Sequence, residues 1–226
     1  MARQRFPNSV AKYYAAGVFL AIEYLRSKDI IDRSIKPENM SLDQHGHVKL
    51  IDFGEAKHVP NGTGTLCGTL EYIAPEIIVN SNKGKYTKCA DWWSGGILIF
   101  EMLSGHTPFQ AGDEDSPMEF YEKLLGARFN YPPYIHPDVE YPMHQVLVPD
   151  PECRLGNKPG DTEGIKKHRW FAEDTWDRLL RKDIDGPYIP PIQGEKGDAS
   201  KFDRYDEEDS GGEEEGEEYG DVFANF

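Results

Sequence analysis

DRSIKPENMSLDQHGHVKLIDFG, residues 32–54, is the stretch that decides the fold. Within it, MSLD from Met40 and VKLI from Val48 flank the polar turn QHGH, where Gly46 supplies the bend. That pattern predicts a short β-hairpin. Asn39 stands at the start of the first strand and Asp52 just past the end of the second, so closing the hairpin lets an amide and a carboxylate point at one ion. Hard cations such as Mg²⁺ take oxygen ligands of this kind. Lys36 adds a positive charge suited to a transferring phosphoryl group. DFG alone (Asp52–Gly54) is more often a plain strand-to-loop turn, because short motifs recur by chance. Its order and spacing relative to KPEN (Lys36–Asn39) carry the reading.

Upstream, Val10, Tyr14, Gly17, Val18, Ala21, Ile22 and Leu25 recur at helical spacing. They predict an amphipathic helix from Ser9 to about Lys28, capped by Asn8 or Ser9. Downstream, the Gly-, Pro- and Thr-rich residues 58–70 read as an exposed loop. KCADWWSGGILIFEML, from Lys88 to Leu103, is apolar nearly all round and predicts a buried helix ended by Gly105. A further helix is expected from Pro117, whose ring suits a first helical position. Residues 138–148 make a poor candidate, since an interior Pro142 removes a backbone hydrogen bond. From Gly186 the chain turns proline-rich and then acidic, as an extended tail would.

The 226 residues suffice for one good-sized domain, and a hydrophobic fraction of 38% argues against wholesale disorder. No apolar run is long enough to span a membrane, and the N-terminus lacks a secretory signal pattern. Cys67, Cys89 and Cys153 offer neither a disulfide framework nor a zinc pattern. An intracellular place is expected, the cytoplasm with the nucleus open to it. The net charge of −15 is local: residues 195–226 hold 13 acidic and 3 basic side chains, leaving the body mildly acidic. Nucleic-acid binding is disfavoured, because a phosphate backbone needs a basic surface.

The motifs in order resemble those of protein kinases. DRSIKPEN stands for the family's HRDLKPEN, followed by DFG, the APE motif (Ala74–Glu76), DWW (Asp91–Trp93), the late Arg154 in PECRLG, and HRWF (His168–Phe171). The strings RFPNSVAKYYAA, TLCGTLEYIAPE, YEKLL, GDASKFDRYDEE and FANF resemble the cyclic-AMP-dependent Ser/Thr kinases, fungal forms especially. The resemblance implies a mainly α fold: a kinase large (C-terminal) lobe with one small hairpin over residues 1–171 and an acidic tail over 172–226, with the small lobe absent.

The same resemblance implies the site. Asn39 and Asp52 would be the Mg²⁺ ligands. Glu38, Asn39, Asp52 and Phe202 would face ATP, with Lys36 on its γ-phosphate. Thr65 falls at the activation-loop phosphosite, where Arg33 and Lys57 would pair with it, and Thr69 would bond near the catalytic loop. Glu76 and Arg154 correspond to a buried ion pair, and Asp91 and Phe53 to structural positions. Glu38, Glu71 and Glu101 would receive arginines of a basic peptide or protein substrate, while Leu66, Leu70 and Ile73 would line an apolar pocket beside its target residue. Tyr121 and Lys123 lie where the family docks a regulatory subunit.

Several positions depart from the family pattern. Ser34 replaces the catalytic aspartate, and a neutral hydroxyl cannot accept the substrate's proton at neutral pH. Asp32 replaces the residue packed beneath Phe53, where a carboxylate would be desolvated. Ser41 replaces an apolar residue under the adenine, Leu70 a proline and Gly64 an aromatic, and Pro142 interrupts a helix. No G-x-G-x-x-G or V-A-I-K string occurs in the 226 residues, Tyr205 and Phe202 would lack their partner lobe, and FANF (Phe223–Phe226) its docking site. Three readings follow: a kinase impaired or dead as an enzyme, a pseudokinase module that binds basic peptides or a regulatory subunit, or an incomplete gene product.

Overall fold

An apolar helical face must be buried against something, and here two long helices bury each other. In the computed structural model, which describes residues 5–60, 62–64, 68–80, 87–110, 116–157, 160, 162–171 and 175–191, the first helix, α1, runs Asn8–Ser27. It turns Ala11, Ala15, Val18, Phe19 and Ile22 inward. No side chain caps its start; Asn8 instead accepts from Trp170 Nε1 at 3.0 Å, so the expected cap serves a tertiary contact. After α1 come β1 (Ile30–Ile31), β2 (Met40–Leu42), β3 (Val48–Leu50), β4 (Lys57–His58) and α2 (Pro75–Asn80). The helix α3, Cys89–Ser104, buries nearly every side chain and stops at Gly105, whose φ is 84°. Gly95 keeps α1 and α3 close: a Cβ there would sit 2.9 Å from Ile22 Cδ1.

The hairpin β2–β3 forms in the expected place, with Met40 opposite Leu50 and Leu42 opposite Val48. A second antiparallel pair, β1 with β4, was not legible, since two residues a side carry no periodicity. It adds a second two-stranded pair to the expected hairpin. Nor is all of 58–70 exposed: Val59 and Thr63 are buried.

Four further helices complete the described part. The helix α4 (Pro117–Gly126) opens on a capping box, Ser116 Oγ accepting from Glu119 N at 3.3 Å and Ser116 N donating to Glu119 at 2.7 Å. The helix α5 (Glu140–Val146) contains Pro142, which overturns the expected break. A single turn, Pro137–Val139, precedes it, and Pro142 falls in the first turn of α5, where an N–H has no helical partner to lose. Then follow α6 (Thr162–Lys166) and α7 (Thr175–Leu180). Among the described residues no helix is long and apolar enough to cross a membrane.

Contacts divide the chain into Met1–Pro190 and Pro191–Phe226, so the first unit extends well past residue 171. Its last described stretch is tied to the hairpin turn. His47 Nε2 bonds the Ile184 carbonyl at 2.9 Å, Lys182 Nζ bonds Asp43 at 2.9 Å, and Gly186 packs against Gly46 with no room for a Cβ. Burial would raise the Asp43 carboxyl, but Lys182 and the N–H groups of His47 and His45 hold it well below the usual range. Phe202, Tyr205 and FANF lie outside the described residues.

Candidate active site

The loop between β1 and β2 carries the candidate chemistry, and its shape is set from below. Ile31 and Ile35 are buried and anchor it to the core. The Asp91 carboxylate, rising from α3, accepts the backbone N–H groups of Asp32 at 2.8 Å and Arg33 at 3.0 Å. Arg33 is held at φ 70° and Asp52 at φ 59°, left-handed conformations that non-glycine residues adopt only when their surroundings impose them. Asp91 supplies part of that constraint. Complete burial pushes its carboxyl up to about 7, against the pull of the two N–H donors.

Within this frame the loop closes on the end of the hairpin. Asn39 Nδ2 donates to the Ser34 carbonyl at 2.9 Å, leaving its oxygen for another partner. Asp52 is exposed, and its Oδ1 accepts from Gly54 N at 3.2 Å. Lys36 Nζ donates to Thr69 Oγ1 at 2.9 Å. Among the described residues no three His, Cys, Asp or Glu side chains form an all-protein metal cage. An amide oxygen and one carboxylate nevertheless suit Mg²⁺, which keeps waters and takes phosphate oxygens for the rest of its shell.

Ser34 and Asp32 form a closed pair. The Ser34 hydroxyl donates to Asp32 Oδ1 at 3.0 Å, and the Ser34 N–H reaches the same oxygen at 3.1 Å. Asp32 is 2% exposed, and its Oδ2 is buried with no hydrogen-bond partner. Burial pushes this carboxyl up, opposed by the two bonds from Ser34 and reinforced by the charges of Asp52 and Glu55. Phe53 is 49% exposed.

The remaining positions separate into two groups. Arg33 Nε donates to the Glu55 carbonyl at 2.6 Å and Lys57 Nζ to Thr63 Oγ1 at 3.4 Å. Thr65 and Leu66 lie outside the described residues, and Gly64 is exposed. Leu70 is exposed, whereas Ile73 packs into the core. Glu38 is exposed, Glu71 half-buried and Glu101 buried. The phenol of Tyr72, which sequence reasoning passed over, binds one of the three and lies within the electrostatic reach of the others. It donates a very short hydrogen bond to Glu101, and burial followed by the charges of Glu101, Glu38 and Glu71 pushes it far above its ordinary value. A bond spanning so many positions leaves no local signal in the sequence.

Two more features lie further from the chemistry. Arg154 and Glu76 form a buried fork at 2.5 and 2.7 Å, and the guanidinium also reaches the carbonyls of Val148, Cys89 and Pro149. A cavity of about 620 Å³ opens behind the loop; Ser41 and Glu101 line it, while Ser34, Lys36, Asn39 and Asp52 do not. Tyr121 is half-buried against the core and Lys123 is exposed.

Known proteins resemble this chain in sequence. Residues 1–171 match the protein kinase domain family. The chain is 53% identical over 224 residues to a cAMP-dependent protein kinase catalytic subunit of Arthrobotrys oligospora, covering 99% of this chain and 42% of that protein. It is 50% identical to cAMP-dependent protein kinase type 3 of Saccharomyces cerevisiae, covering 99% of this chain and 55% of the relative. It is 42% identical to the human cAMP-dependent protein kinase catalytic subunit PRKX, covering 92% of this chain and 56% of that protein. The chain thus spans about half the length of these curated relatives. With a family match over three quarters of its length, and relatives of 42–53% identity, the chain belongs to the protein kinase family.

Proposed function

We propose that this chain docks arginine-bearing peptides at a Ser/Thr phosphoryl-transfer site whose transfer step is slow or lost. The observation that carries the reading is a set of three carboxylates: Glu101, bonded by Tyr72, and Glu38 and Glu71, whose charges also act on that phenol. Carboxylates accept guanidinium groups through paired, charge-assisted bonds, so an acidic surface here selects arginine. Asn39 and Asp52 would hold Mg²⁺ with the phosphates of ATP, and Lys36 would face the transferring group. Bound Mg²⁺ supplies charge neutralisation on the phosphate oxygens.

The slow step belongs to Ser34. Its hydroxyl faces Asp32 Oδ1 at 3.0 Å and the Asp52 carbonyl at 3.4 Å, and its oxygen carries no charge, so Ser34 itself does not take the proton of an incoming peptide hydroxyl. Loss of a general base costs about 10²- to 10⁴-fold. Positioning and electrostatics remain in this site, so transfer is slowed more than the docking is. Ser34→Asp should therefore raise phosphate transfer from Mg-ATP to an arginine-bearing peptide by about 10²-fold or more. Equal rates in the two proteins would contradict the assignment.

The same Ser34 favours a second reading, a non-catalytic module of cAMP-dependent kinase type that holds basic peptides or a regulatory subunit. Tyr121 and Lys123 on α4 would contribute to the latter contact. Peptide binding with no rate gain in Ser34→Asp would favour it.

A further inference from the structure

The turn of the β2–β3 hairpin and the strap formed by residues 182–188 are laced together by polar groups that the candidate site does not use. Lys182, at φ 57°, begins the strap and donates to Asp43 Oδ2 at 2.9 Å. Gly186 N donates to the His45 carbonyl at 2.7 Å, and Gly46 and Gly186 approach too closely for a side chain on either. The Ile184 carbonyl accepts from the Tyr13 hydroxyl of α1 at 3.3 Å. All these contacts lie at the end of the hairpin opposite Asn39 and Asp52.

His47 stands at the centre of the lacing and is 7% exposed. Its Nε2 lies 2.9 Å from the Ile184 carbonyl oxygen, and its Nδ1 lies 3.2 Å from both carboxylate oxygens of Asp43. Both ring nitrogens therefore face acceptors. A neutral imidazole has one N–H, so it satisfies one acceptor and turns a lone pair on the other. An imidazolium has two and satisfies both. Asp43 favours that cation directly, and Lys182 and the N–H groups of His47 and His45 keep its carboxyl well below the usual range. Asp185, beside Ile184, favours it too, while pairing with the exposed His45 at 3.4 Å. The Lys182 ammonium opposes it from across Asp43, as does His45 when protonated, its ring 6.1 Å away. Burial, then Tyr14, Asp43 and Asp185, push the Tyr13 phenol up to about 12, so it stays a neutral donor.

We propose that His47 is a proton-operated clasp. Doubly protonated, it bridges Asp43 and the Ile184 carbonyl and holds residues 182–188 on the hairpin turn. When it loses one proton as the pH rises, it releases one side and the strap loosens.

Nitrogen NMR and hydrogen exchange on the full chain test this. The His47 ring should carry N–H at both nitrogens at about pH 5 and at one nitrogen at about pH 8, the span in which histidines ordinarily titrate. Over that span the protection of the Gly186 amide, taken relative to α3 amides that report global opening, should fall by roughly tenfold, the loss of one hydrogen bond. His47→Gln, whose amide does not titrate, should remove that fall. His45→Gln should keep it, because His45 belongs to the exposed pair. A His47 ring already neutral at about pH 5 would overturn the proposal without recourse to any variant. So would Gly186 protection indifferent to pH in the wild type, the same fall in His47→Gln, or its loss in His45→Gln.

Discussion

Asp91 carries more of the site than any single side chain near it. It is fully buried, holds two backbone N–H groups, and titrates at about 7 against an ordinary value of 3.8. The folded chain keeps this proton where the unfolded chain has lost it. The stability so gained is complete below about pH 4 and is lost as the pH rises through 7. Burial moves Asp32 in the same direction, while His168, lowered by burial and by Arg169, acts oppositely. Comparing wild type with Asp91→Asn therefore isolates the carboxyl. The variant should be less stable by about 1–3 kcal/mol, since the amide sets a donor NH2 group where one of the two accepting oxygens stood. Its urea midpoint should also change less between about pH 5 and about pH 7.5. An unchanged slope would show that Asp91 does not titrate in that window. The unusual residues here were legible as substitutions, Ser34 and Asp32 above all. Their pairing was not, because it depends on a backbone turn that brings a side chain onto its second neighbour.

Among the elements, legibility followed length and periodicity. The helices α1 and α3 and the hairpin β2–β3 stood out, since each repeats an apolar pattern or brackets a turn. The pair β1–β4 is too short to repeat anything, and Pro142 misled because its effect depends on whether it falls in a first turn. The ion pair that links α2 to the segment after α5 was legible only through resemblance, as Glu76 and Arg154 lie 78 positions apart. Arg154 is 1% exposed and Glu76 4%, so removing one partner strands a buried charge. Arg154→Met should cost about 3–5 kcal/mol in urea unfolding. Pairing it with Glu76→Leu should recover part of that loss, because no charge is then left alone. A double variant as unstable as the single one would mean that the carbonyl bonds of Arg154, and not the pair, dominate.

At the scale of the whole molecule, charge and docking meet. Most of the net −15 lies beyond residue 195, so the acidity that would choose a peptide is the local set around Tyr72. Composition alone could not show this, because Glu38, Glu71 and Glu101 come from three separate segments. The fold also sets their unequal exposure: Glu38 is open, Glu71 is partly covered, and Glu101 is buried on α3. Glu38 and Glu71 are thus the carboxylates an incoming guanidinium meets first. Calorimetry of the chain with a peptide carrying two arginines before its serine, against the same peptide with alanines, tests the account most directly. The arginine peptide should bind more tightly, lose roughly tenfold in affinity on Glu38→Gln or Glu71→Gln, and weaken further as salt is raised. Equal binding of the two peptides, or affinity indifferent to both substitutions, would contradict it.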